Sequence, residues 1–153
     1  MNGDSRKKLK IGLGVEKSME GKEGKTVIYA CFGGFSNTGI TTALASMDAV
    51  KEVGLDKVCI GCLGGLPINV RPVYENTDKA KKIITVDGCP MECSRKTVQN
   101  AGYKIAKSIV LARDIGMKKK SLYEGNEKNL TDNINEEDVR KAKELIVKAI
   151  LEE

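Results

Sequence analysis

The sequence predicts an α/β fold in three layers: a mostly parallel, Rossmann-like sheet with helices on both faces. Three observations predict it. Short β-rich apolar runs alternate with stretches of helical composition along residues 26–112, the rhythm of parallel strands joined by crossover helices. Glycines break the chain just after the runs, at Gly33-Gly34, Gly61, Gly64-Gly65 and Gly88. The chain has 153 residues, 41% hydrophobic and 31% charged. That supports one globular core and is too apolar for a disordered chain.

In chain order, residues 1–25 read as a flexible N-terminal arm with one edge strand over Leu9–Val15, and Gly21–Gly24 as a linker. Residues 26–153 read as a single α/β domain. Thr26–Ala30 is the first strand, and Ile40–Val53 the first helix, closed by Gly54 as its C-cap. Lys57–Ile60 is a second strand. Residues 68–80 form loop plus a short helix, and Lys82–Val86 is the third strand. Pro90 suits the first position of a helix running to Gln99, with Gly102 at its end. Lys107–Ala112 is the fourth strand. Glu136–Leu151 is a terminal helix capped by Asn135, with Val139, Ala142, Leu145, Ile146, Ala149 and Ile150 at helical spacing.

Composition narrows the chemistry. There is no histidine, which excludes histidine bases, histidine triads and every histidine-containing metal site. No apolar run approaches the ~18 residues of a membrane span. The apolar Ile11–Val15 stretch is too short and glycine-rich for a signal-peptide core, so the sequence predicts a cytoplasmic, reducing setting. Five cysteines there read as thiols or metal ligands rather than disulfides. The net charge of +5 is uneven. Lys118-Lys119-Lys120 reads as a solvated loop, not a nucleic-acid patch, because no aromatic residues interleave it.

The cysteines then fall into a pattern. Cys31 follows the first strand, Cys59 ends the second with Cys62 just beyond it, and Cys89 follows the third with Cys93 four residues on. In a parallel sheet those positions share the carboxyl edge, where such folds place their ligands. Cys59-Ile60-Gly61-Cys62 has the spacing of two thiols sharing a metal or a redox bond. On a helix starting at Pro90, Cys89 and Cys93 lie on one face near its positive end, which favours thiolate. Cys31 precedes a glycine-rich turn into a helix, and is expected to be favoured as thiolate as well. Four thiolates at one edge suit tetrahedral Zn²⁺, and an iron–sulfur cluster equally. A thiol-redox enzyme or sensor using Cys59/Cys62 or Cys89/Cys93 is the competing reading.

Two further motifs bear on function. The loop Cys31–Gly39 could cradle a phosphate, but it lacks the Gly-Lys-Ser/Thr ending of a P-loop. Asn37 stands where a cysteine phosphatase needs arginine, and nothing marks a base- or ribose-binding partner. Asp87 reads as a cap for the helix that follows it.

Val86-Asp87-Gly88-Cys89-Pro90-Met91-Glu92-Cys93 closely resembles the signature of the DGC-domain family of candidate zinc-binding proteins. Cys31-Phe32-Gly33-Gly34-Phe35-Ser36-Asn37-Thr38-Gly39 resembles that family's first loop, and Leu111-Ala112-Arg113-Asp114-Ile115-Gly116-Met117-Lys118 its closing strand and turn. The likeness covers residues 26–120. It implies a metal site of four cysteines: Cys31, Cys89, Cys93 and one from the middle loop. Aligning Gly64-Gly65 with the family's glycines makes Cys59 that ligand. Cys62, farther out on the loop, is the possible replacement. The resemblance implies no substrate, and leaves open whether the protein is an enzyme.

Overall fold

The computed structural model describes residues 24–123 and 128–153. The expected arm and its edge strand over Leu9–Val15 lie outside the described residues. Four strands, β1 (Thr26–Ala30), β2 (Val58–Ile60), β3 (Lys82–Asp87) and β4 (Lys107–Val110), form one sheet in the order β2-β1-β3-β4, parallel throughout. Around it stand α1 (Asn37–Val53), α2 (Arg71–Asp78), α3 (Cys93–Asn100), the single turn α4 (Leu111–Asp114) and α5 (Glu136–Leu151).

Alternation along the strands builds the layers. Ile28, Ala30, Ile84, Val86 and Ile109 point to one face, where Ala45 and Ala49 of α1 and Val139, Ala142, Ile146, Ala149 and Ile150 of α5 cover them. Val27, Tyr29 and Ile83 point to the other face and meet Leu66, Ala80, Val98 of α3 and Val73 and Tyr74 of α2. The sheet is therefore buried on both sides, as a parallel sheet requires.

Three boundaries differ from the expected ones by two residues or more, each for a local reason. The first helix begins at Asn37, not Ile40, because the Ser36 hydroxyl accepts from the Gly39 N–H at 3.3 Å and caps it. The third helix begins at Cys93, not Pro90. Pro90 sits instead in a turn closed by the Glu92 N–H donating to the Cys89 carbonyl at 3.1 Å, and Glu92 takes a left-handed conformation with φ 51°. β4 stops at Val110, because the Asp114 carboxylate takes the Val110 N–H at 2.8 Å and the chain coils into α4. Elsewhere the expected ends of the strands and of α1, α3 and α5 hold to within one residue. Gly54 (φ 98°) closes α1, and Asn135 caps α5 by accepting from the N–H groups of Glu137 and Asp138.

Candidate metal centre

The strand order carries the location of the site. The chain leaves β1 for β2 on one side and leaves β3 for β4 on the other, while β1 and β3 are neighbours. Their two outgoing connections lead to helices on opposite faces of the sheet. This topological switch point is where open parallel sheets bind ligands. Cys31 opens one of these loops and Cys89 and Cys93 belong to the other.

Backbone packing draws the loops together. The Cys31 N–H donates to the Val86 carbonyl at 2.9 Å, which sets Cys31 beside Asp87 across the β1–β3 seam. Asp87 is 1% exposed, and its carboxylate accepts from the Ser94 N–H at 2.7 Å and the Arg95 N–H at 3.1 Å. It caps α3, as its position ahead of Gly88 suggested, and anchors the first turn of that helix above the end of β1. Gly39 and Gly88 permit the close fit. A Cβ on Gly39 would stand 2.0 Å from the Gly33 carbonyl oxygen, and one on Gly88 would stand 2.7 Å from the Thr38 backbone.

A third segment closes the rim, one the sequence left as a solvated loop. Asn37 Nδ2 donates to the Lys118 carbonyl at 3.0 Å, and its Oδ1 accepts from the Lys120 N–H at 2.6 Å. Leu122 N–H donates to the Phe35 carbonyl, and the Phe35 and Tyr123 rings meet at 5.7 Å. Lys119 Nζ thereby comes to 3.8 Å from Cys89 Sγ. Gly116 (φ 68°), the glycine after α4, is the sequence signal of the turn that brings this segment back.

The cysteines are not equivalent. Cys31 is half-buried and Cys93 exposed, and Cys93 stands near enough to bear on the Cys31 thiol. Burial, then Cys93 and then Asp87 push the Cys31 thiol above its ordinary pKa, against a smaller opposing pull from the Gly33 backbone N–H. The expectation that the glycine-rich turn favours Cys31 thiolate is thus corrected: loss of water around the sulfur outweighs the turn. Cys89 lies across the Cys89–Glu92 turn from Cys93, so the two do not share a helix face as expected.

Cys59 stands apart. It is in register with Val27 and packs with the apolar face that includes Tyr29 and Leu66. Burial raises its pKa, with Lys25 opposing. Val27 and Cys31 are four residue steps apart along β1 and its exit, about 13 Å at roughly 3.3 Å per residue. Thiolates on one zinc each sit about 2.3 Å from it, so in this register Cys59 and Cys31 are too far apart to share an ion. Cys62, exposed, lies past the end of β2 on the loop that the Gly61 N–H ties to the Ile28 carbonyl. Among the described residues, no group of three or more cysteine, aspartate or glutamate side chains stands clustered to hold a metal ion.

Residues 27–146 match the model of a family described as the DGC domain. No curated protein and no solved structure matches the chain. No helix among the described residues is long and apolar enough to cross a membrane.

Proposed function

The chain belongs to the DGC domain family, and from that membership and the rim geometry we propose that it binds zinc through Cys31, Cys89 and Cys93 at the β1–β3 switch point. For the fourth position we take Cys62, exposed past the end of β2, over Cys59, whose register sets it back from the rim. The observation that carries this reading is the nearness of Cys31 and Cys93, thiols from loops after different strands. The donor set fits the ion. Zinc favours thiolate, and the chain has no histidine to offer in its place. Rotation about χ1 is the motion available to bring the sulfurs onto a common centre. Binding displaces the proton that burial keeps on Cys31, so affinity rises with pH. Reduced thiols are a requirement, which suits a reducing compartment such as the cytoplasm.

Elemental analysis of anaerobically purified protein tests it. Near-stoichiometric zinc is expected, retained in Cys59→Ser, weakened in Cys62→Ser and lost in Cys31→Ser and Cys93→Ser. Reduced protein that takes up no zinc on titration would remove the reading. A brown protein with visible absorbance would assign the same thiols to an iron–sulfur cluster instead.

A further inference from the structure

The rim also determines which thiols meet when no metal is bound. Cys31 lies beside Asp87 across the β1–β3 seam, and Asp87 holds the N–H groups of the two residues that follow Cys93. The start of α3 is therefore fixed close to the end of β1, which brings Cys93, the first residue of that helix, near Cys31. The pairings read from the sequence are Cys89/Cys93 and Cys59/Cys62. Cys89 lies ahead of the turn closed at Glu92, outside α3, and faces Lys119. Cys59 packs half-buried on the apolar face, while Cys62 is exposed on the loop beyond Gly61, which lies against the Tyr29 ring.

We infer that Cys31 and Cys93 form a peroxide-driven dithiol–disulfide couple, with exposed Cys93 as the attacking thiol and half-buried Cys31 as the resolving one. The inference goes beyond the zinc reading and does not rest on it, since it concerns the chain with no metal bound. Cys93 sulfur, as thiolate, attacks the terminal oxygen of a hydroperoxide. The O–O bond breaks, Cys93 becomes a sulfenic acid, and the alkoxide or hydroxide leaves with the proton that Cys93 gave up. Cys31 sulfur then attacks Cys93 sulfur. The S–S bond forms, the S–O bond breaks, and hydroxide leaves as water with the Cys31 proton. Two thiols and one hydroperoxide give one disulfide, one alcohol (water, for hydrogen peroxide) and one water. The thiols lose two electrons and the peroxide gains them.

The test uses the full chain, reduced, treated with chelator and desalted, then exposed to hydrogen peroxide. Thiol titration in denaturant is expected to show loss of two of the five cysteine thiols. Trypsin cuts after Lys and Arg, so non-reducing digestion should yield the Thr26–Lys51 peptide linked to the Ile83–Arg95 peptide, with fragmentation assigning the bond to Cys93. Cys31→Ser should leave a sulfenic acid on Cys93 that dimedone traps. Cys59→Ser/Cys62→Ser should still lose two thiols. A bond internal to either cysteine-pair peptide, a link through Cys89, or unchanged thiol loss in Cys93→Ser would overturn the inference.

Discussion

Asp87 joins the two halves of the site by itself. It is buried, it neighbours Cys31, and it satisfies two backbone donors at the start of α3. Asp87→Ala leaves those N–H groups without their acceptor, so a loss of about 1–3 kcal/mol is expected in denaturant unfolding, together with weakened zinc uptake. Gly39→Ala should cost a similar ~1–3 kcal/mol from overpacking, because its Cβ would overlap the Gly33 carbonyl in the loop that carries Cys31. Thermal melts check the stability loss, and zinc titration of the folded fraction checks the site. The capping role of Asp87 was legible because a carboxylate ahead of a glycine and a helix has few other local uses. The left-handed Glu92 was not: a non-glycine at positive φ leaves no mark in composition. Misreading it moved the helix start from Cys93 to Pro90, and with it the supposed shared face of Cys89 and Cys93.

Among elements, α5 was the most legible. Its apolar spacing and its Asn135 cap are both local signals, and it runs over Glu136–Leu151 as they predict. Ile146, fully buried between α5, α1 and the sheet, makes the sharpest test. Ile146→Ala should destabilise by ~2–5 kcal/mol, measured by chemical denaturation, without altering zinc affinity. The α4 turn carries the pH dependence. The hydrogen bond from Arg113 holds the Asp114 carboxyl below its ordinary pKa, with the Val110 N–H adding to it. A depressed folded pKa means that stability is present above the unfolded value and lost as pH falls through the folded one. Asp114 is partly exposed, so solvent screening keeps its share below about 1 kcal/mol. Unfolding free energies measured from neutral to acid pH should fall less steeply in Asp114→Asn. The end of β4 was misplaced for the same reason that α4 exists: Asp114 reaches back to the strand's last N–H, a contact that apolar patterning does not register.

Across the whole molecule, alternating strands and helices foretold a parallel sheet, and glycine-rich breaks foretold loops at one edge. Strand order was not legible, since it depends on which side of β1 each crossover lands, and a single sequence does not encode that locally. The order β2-β1-β3-β4 sets the three cysteine-bearing strands side by side, and the register rather than the order sets Cys59 back from the rim. It puts Cys31 and Cys89 on adjoining loops and leaves Cys59 in register with Val27, part-way down the sheet. Lys119 joined the rim through hydrogen bonds to Asn37 some eighty positions earlier in the chain, beyond the reach of any local motif. If zinc binds only the folded chain, a hundredfold excess over its dissociation constant should add about 2.7 kcal/mol of stability. For a chain of this size that is a melting shift of roughly 5–10 °C. Differential scanning fluorimetry with and without zinc should record the shift in the wild type and its absence in Cys31→Ser/Cys93→Ser.

The far end of the molecule has a practical use. Lys82, the first residue of β3, donates through Nζ to the Glu152 carbonyl just past α5, which fastens the tail of that helix to the sheet's amino edge. An affinity handle or fluorescent fusion joined after Glu153 would therefore emerge on the side opposite the thiols. Immobilised in that orientation, the protein would present its sulfur-bearing rim to solution, ready for metal exchange or peroxide to be followed on a sensor surface.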